Sequence, residues 1–282
     1  MQKDKVELST LARMKREGRP ITMVTAYDTP TARIVDAAGV DTVLVGDSAA
    51  NVVLGYPDTI PVTMDELLHH TRAVKRGLKH AMLIGDMPFM SYNVSVERAI
   101  ENAGRFLKEA GADAIKLEGG GWVIETVRRI VKAGIPVVGH LGLTPQTAGM
   151  LGGYKVQGKD AASARQIYED ALGLQGAGAF LLVLECVPDR LGTLIAGKLT
   201  IPVIGIGAGS GTDGQVLVYH DLVGIHAGFA PKFVKRYAQV GDLMQKAVES
   251  YCREVRERSF PGEEHSFKIS DEEYQALEKA IQ

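Results

Sequence analysis

Charged and polar residues stand where runs of Val, Ile and Leu end: Asp28, Asp47 with Ser48, Asp86, Lys116 with Glu118, His140 and Glu185. A charge at the end of an apolar strand is costly to enclose unless it is paired, hydrated or bound to a cation. Asp28 precedes Thr-Pro and reads as a helix cap. Three further carboxylates, Asp47, Asp86 and Glu118, would repel one another if they met, and a divalent cation removes that conflict. Oxygen ligands and a partly open coordination sphere suit Mg²⁺, with other divalent cations as substitutes. Lys116 and Glu118 are two residues apart, so on a strand they share a face. An inward-facing ammonium can bind an anionic substrate, the plain alternative being a buried ion pair. Glu185 ends the run Phe-Leu-Leu-Val-Leu. Its apolar approach should raise its pKa, which suits a general base, against the alternative of a surface carboxylate at a loop start. His140 is either a core histidine or a substrate hydrogen-bond partner. Cys186 has no matched histidine and reads as a small buried residue.

The elements that must position these groups are eight short apolar runs: Ile21–Asp28, Val40–Asp47, Ala81–Asp86, Asp113–Glu118, Pro136–Leu141, Phe180–Cys186, Pro202–Gly207 and Gln215–Gly224. They are nearly continuously hydrophobic, the pattern of parallel strands covered on both faces. The last is interrupted by Tyr219, His220 and Asp221. Between them lie helical periodicities. Ser95–Ala110 carries an apolar stripe from Val96 through Ala99, Ala103 and Phe106. Thr63-Met-Asp-Glu66 is a capping box opening a helix through Arg76, with Gly77 at its end. Ala-Gly pairs at Gly39, Gly111, Gly134 and Gly178 predict left-handed helix ends before strands. Strands alternating with helices imply a parallel sheet, and eight units favour closure into a single-domain (β/α)₈ TIM barrel. An N-terminal helix and a C-terminal helical extension over 259–282, with a last helix from Ser270 to Ala280, complete the expected architecture. In such a barrel all strand ends converge on one mouth.

A length of 282 residues, 45% hydrophobic and 23% charged, fits one barrel with a large core. A formal net charge of −2 gives no general attraction to nucleic acid or anionic membrane. The apolar runs are far shorter than a membrane span. Two cysteines and no recognisable secretory leader lead to the expectation of a reducing, cytoplasmic setting. The glycine-rich stretch from Gly205 to Gly214 contains G-x-G-x-x-G, but it lies late in the chain and no amphipathic helix follows at once. It reads as close backbone approach around the barrel mouth, offering N–H donors to substrate. Neither a P-loop nor zinc-ligand spacing occurs.

Taken together, the chain resembles the ketopantoate hydroxymethyltransferase family. The resemblance is carried by Thr22-Met-Val-Thr-Ala-Tyr-Asp28, Val45-Gly-Asp-Ser48, Leu54-Gly-Tyr-Pro-Asp-Thr59, Gly85-Asp-Met-Pro-Phe89, Ala114-Ile-Lys-Leu-Glu-Gly119, Gly139-His-Leu-Gly-Leu-Thr-Pro-Gln146, Leu184-Glu-Cys186, Ile204-Gly-Ile-Gly-Ala-Gly209, Pro231-Lys-Phe-Val-Lys235 and Pro261-Gly-Glu-Glu-His265. They run in order over roughly residues 8–267, and the tail after Phe267 matches nothing in the pattern. The resemblance implies transfer of a hydroxymethyl group from 5,10-methylenetetrahydrofolate to 3-methyl-2-oxobutanoate, giving 2-dehydropantoate in pantothenate biosynthesis. It also implies Mg²⁺ at Asp47 and Asp86 with Glu118 in support, in part through water. Asp47, Ser48, Asp86, Lys116 and His140 would then bind the oxo acid, Glu185 would be the catalytic base, and the assembly would be a homodecamer. No residue pattern marks a pterin site. The competing enzyme reading is a Mg²⁺-dependent carbon–carbon lyase or mutase acting on a 2-oxo acid. A barrel serving only as a scaffold would leave Lys116 and Glu185 without a task.

Overall fold

The computed structural model of the protein describes residues 4–225 and 231–281. In chain order the elements are α1 (Leu8–Arg16), β1 (Ile21–Thr25), α2 (Thr29–Ala38), β2 (Thr42–Val45), α3 (Ala49–Val52), α4 (Met64–Lys75), β3 (Met82–Asp86), α5 (Val96–Lys108), β4 (Ala114–Glu118), α6 (Val123–Lys132), β5 (Val137–Gly142), α7 (Ala161–Gly176), β6 (Leu181–Glu185), α8 (Asp189–Lys198), β7 (Val203–Ile206), β8 (Gly214–Leu217), α9 (Tyr219–Val223), α10 (Val240–Arg256) and α11 (Asp271–Ile281). The strands close as β1-β2-β3-β4-β5-β6-β7-β8, each parallel to its neighbours, with β8 returning to β1. This is the expected (β/α)₈ barrel.

Two apolar layers hold it. Met23, Leu44, Met82, Ile84, Ala114, Val138, Leu181, Val183, Ile204 and Val216 fill the barrel interior, and Leu11 and Met14 of α1 join them. The alternate residues, among them Val43, Leu83, Ile115, Val137 and Leu182, face the helices with Phe106 and Leu174. The N-terminal helix therefore acts as a plug. Ion pairs of Lys15 with Asp213 at 2.6 Å and Lys5 with Asp113 at 2.7 Å fasten it across the same end of the barrel.

Local signals were realised where a hydrogen bond defined them. Asp28 caps α2 by accepting from the Thr31 N–H at 2.7 Å. Thr63 and Glu66 form the capping box of α4. Gly39, Gly111, Gly134 and Gly178 all have positive φ, as the Ala-Gly pairs predicted. Gly77 does not; its bareness is required because a Cβ there would lie 2.6 Å from that of Ala32.

Two expectations need correction. The run Gln215–Gly224 is not one strand. β8 stops at Leu217, and Tyr219, His220 and Asp221 begin the short α9, which Gly224 ends at φ 70°. The glycine-rich stretch does not ring the mouth either. It leaves β7 at Ile206 and reaches the opposite end of the barrel by Asp213, whose N–H donates to Val203 O. On the way it presses against α8. A Cβ on Gly209 would lie 2.5 Å from that of Asp189, and one on Gly211 would collide with Thr193. These glycines let a helix-free connection hug its neighbour.

Candidate active site

The inward face of each strand is set by parity. In β3 the inward series is Met82, Ile84, Asp86; in β4 it is Ala114, Lys116, Glu118; in β5 Val138, His140; in β6 Leu181, Val183, Glu185. Each begins apolar at the plugged end and finishes polar at the mouth. The register then sets the neighbours, with Asp86 opposite Lys116 and Glu118 opposite His140. Asp47 and Ser48 lie just beyond β2, where the chain turns into α3. Every residue singled out at a strand end, apart from the cap Asp28, thus comes to one mouth.

The contacts are close. Lys116 Nζ is 2.9 Å from Asp86 Oδ1 and 3.6 Å from Glu118 Oε1. It also lies 3.2 Å from His140 Nδ1. Asp86 Oδ2 accepts from the Asp47 N–H at 3.0 Å. His140 faces carboxylates with both ring nitrogens, Glu118 at 3.3 Å and Glu185 at 3.4 Å. The Ser48 and Tyr27 hydroxyls are 2.8 Å apart. Glu185 is the outermost member, its side chain 16% exposed against 4% for His140, so its apolar enclosure is only partial.

Burial and mutual repulsion govern the charges. Burial, then the carboxylates of Asp86 and Glu118, push Asp47 well above its ordinary value. Burial also raises Asp86, against the pull of Lys116. Burial would raise Glu118 as well, but Lys116 and His140 outweigh it and hold that carboxyl low. Burial alone would lower Lys116; Asp86, Glu118 and Asp47 reverse that and keep it an ammonium. Burial and Lys116 oppose charge on His140, yet Glu118 and Glu185 push it up to about 9. Cys186, beside Glu185, is driven by burial up to about 12, so its thiol is no nucleophile at neutral pH.

A divalent cation fits this chemistry. Three buried carboxylates crowd one ammonium and the His140 ring, and Asp86 Oδ1 and Glu118 Oε1 meet only these ion-pair partners. Among the described residues no three His, Cys, Asp or Glu side chains form a ready-made metal cage. Mg²⁺ is commonly bound by one or two carboxylates, with water or substrate oxygens completing its shell.

Sequence reasoning missed Gln146, Tyr92 and Tyr27. Gln146 Nε2 donates to Asp47 Oδ2 at 3.1 Å and its backbone N–H donates to Glu118 Oε2 at 3.1 Å. Tyr92 OH donates to Gln146 Oε1 at 2.7 Å. They are uncharged, and all three lie in the connections that follow strands, so no charged strand end marked them.

Comparison with known proteins identifies the family. The family model described as ketopantoate hydroxymethyltransferase matches residues 5–263. The 3-methyl-2-oxobutanoate hydroxymethyltransferase of Carboxydothermus hydrogenoformans is 55% identical over 269 residues, covering 95% of this chain and 98% of that one. Its counterpart in Geobacillus thermodenitrificans is 55% identical over 265 residues, covering 94% and 95%. Among solved structures, a phosphonopyruvate hydrolase in complex with oxalate and Mg²⁺ superposes with TM-score 0.60 at 13% identity, covering 97% of this chain and 96% of that one, a likeness of fold. The match to the family takes in all eight strands and every side chain of the cluster, and the chain belongs to the ketopantoate hydroxymethyltransferase family.

Proposed function

We propose that the protein transfers a hydroxymethyl group from 5,10-methylenetetrahydrofolate to 3-methyl-2-oxobutanoate, giving 2-dehydropantoate, the first committed step of pantothenate synthesis. The observation that carries this reading is a buried ammonium among carboxylates, with a further carboxylate, Glu185, joined to the same cluster through His140. Asp47 and Asp86 would hold a divalent cation, Mg²⁺ by preference, with Glu118 supporting it through water. When bound, that cation draws charge from the keto oxygen of the oxo acid and so acidifies C3.

The chain's own groups do the rest. Lys116 presents ammonium donors to the anionic substrate and to the oxygen on which negative charge develops. Ser48 and His140 hold the oxo acid in register. Glu185 takes the proton from C3, and the electron pair left behind moves into the C2–C3 bond and onto oxygen. A positioned base of this kind contributes typically about 10²–10⁴-fold. Water breaks the two C–N bonds of the folate's methylene bridge, leaving tetrahydrofolate and a formaldehyde-level one-carbon unit; C3 bonds to that carbon, and its oxygen takes up the proton held by Glu185 to become the hydroxyl. The folate is a group carrier, so the protein's task is to hold two substrates at reacting distance. The family resemblance extends the reading to a cytoplasmic homo-oligomer, a decamer. In support, α10 leaves Leu243, Met244, Val248 and Tyr251 exposed on a single chain.

The test is consumption of 3-methyl-2-oxobutanoate in the presence of methylenetetrahydrofolate, with and without a chelator. Turnover that needs both the folate and a divalent cation is expected. Consumption of the oxo acid without folate, at the same rate, would replace this reading with a lyase or mutase.

A further inference from the structure

Asp86, Glu118 and Asp47, three of the four carboxylates at the mouth, each have one oxygen committed to an N–H donor. Asp86 Oδ2 takes the backbone N–H of Asp47 at 3.0 Å. Glu118 Oε2 takes the backbone N–H of Gln146 at 3.1 Å. Asp47 Oδ2 takes the side-chain amide of the same Gln146 at 3.1 Å. A single residue in the short 3₁₀ turn Pro145–Thr147 therefore braces two of the three.

The orientation of that amide is not free. Its Nε2 lies 3.0 Å from Met87 O and 3.1 Å from Asp47 Oδ2, both of which only accept. Its Oε1 must then receive a donor, and Tyr92 OH is 2.7 Å away. Tyr92 can spend its one proton there because its oxygen accepts the N–H of Glu118 at 3.3 Å. Flipping the amide would set oxygen against two oxygens and waste the phenol's proton. Gln146 is 1% exposed and Tyr92 2%, so water offers neither group an easy substitute.

Resting on the assignment of Asp47 and Asp86 as cation ligands, we propose that Gln146, locked by Tyr92, is a positioning residue that makes Asp47 a one-oxygen ligand and so tunes the site to a small six-coordinate cation. Mg²⁺ at about 2.0–2.1 Å demands near-octahedral geometry with few carboxylate oxygens. Ca²⁺ is larger, takes six to eight oxygens and readily accepts both oxygens of one carboxylate. An Asp47 whose Oδ2 is held by an amide offers the first ion what it needs and denies the second its extra ligand. Outer-shell hydrogen bonds of this type tune metal affinity by roughly 10–100-fold.

The test is calorimetric titration of the purified, full-length protein with MgCl₂ and separately with CaCl₂, in wild type and in Gln146→Ala, Tyr92→Phe and Asp47→Asn. Gln146→Ala removes the amide but keeps the backbone N–H on Glu118. It should lower the preference for Mg²⁺ over Ca²⁺ by about tenfold or more. Tyr92→Phe, which leaves the Gln146 Oε1 without its donor and so loosens the amide, should shift the ratio the same way by less, and it stands as the second variant should Gln146→Ala fold poorly. A loss of stability alone would weaken both ions together and leave the ratio where it was. An unchanged ratio in the folded variants, with Mg²⁺ binding lost in Asp47→Asn, overturns the role of Gln146 while keeping the ligand assignment. Wild-type Mg²⁺ affinity in Asp47→Asn overturns the ligand assignment and the inference with it.

Discussion

Glu185 and Lys116 reach the mouth from β6 and β4, with His140 of β5 between them, so base and ammonium stand on opposite sides of one imidazole. Glu185 thus has His140, not Lys116, as its direct partner. Glu185→Gln should keep binding of the oxo acid and of metal but slow deuterium exchange at C3 by about 10²-fold or more, as read by proton NMR. Exchange at the wild-type rate would remove Glu185 as the base. The charged members of this cluster were legible in the sequence for a simple reason. Burying a charge is costly, so Asp, Lys, His or Glu at the end of an apolar run marks either a cap or a site. Asp28 proved to be a cap. Gln146 and Tyr92 carry no such mark, because a neutral amide or phenol costs little to place in a loop. Their role arises only where the loops after β3 and β5 meet over Asp47 and Glu118.

Strand parity and strand ends depend on how the elements are stapled together. Asp36, in α2, accepts the N–H groups of Lys79, His80 and Ala81 at 3.1, 3.0 and 2.8 Å, fixing the chain as it enters β3. Burial would raise its carboxyl, but these three donors outweigh it and hold the group below its ordinary value. A carboxylate lowered in this way stabilises the fold fully above its unfolded value of about 3.9 and loses that contribution as pH falls through the folded value. Asp36→Ala should cost roughly 2–4 kcal/mol at neutral pH, since it strands buried donors. Urea unfolding across pH should show that deficit shrinking only below about pH 4. A deficit that shrank at neutral pH would contradict the charged-acceptor role. Gly142 offers a second test. It has φ 93°, and a Cβ there would collide with the carbonyl of Glu185. Gly134 has φ 89° with open space around it. Both alanine variants should lose about 1–2 kcal/mol to backbone strain. Only Gly142→Ala should also displace Glu185 and reduce C3 exchange. Equal exchange in the two variants would separate the glycine from the site.

At the scale of the whole molecule, the alternation of strands and helices was readable because each unit repeats the same burial problem. The exceptions follow from length and covering. Between Ile206 and Gly214 there is too little chain for a helix that runs back along the barrel, so the glycine-rich segment makes the return by itself. After β8, α10 is amphipathic yet has no buried residue; Met244, Val248, Tyr251 and Val255 recur along one side, with Leu243 flanking them, all exposed. A stripe of that size is more apolar than a soluble monomer ordinarily shows to water. An assembly of several copies would remove it from solvent, in keeping with the oligomer proposed above. The native protein should therefore elute in size-exclusion chromatography with light scattering at a mass several times the 30.3 kDa of one chain. Leu243→Glu with Val248→Glu, placed outside the catalytic cluster, should shift that mass downward while far-ultraviolet circular dichroism still reports the barrel. A wild-type mass equal to one chain, or a variant of unchanged mass, would show that this stripe does not join copies and that α10 is covered in some other way.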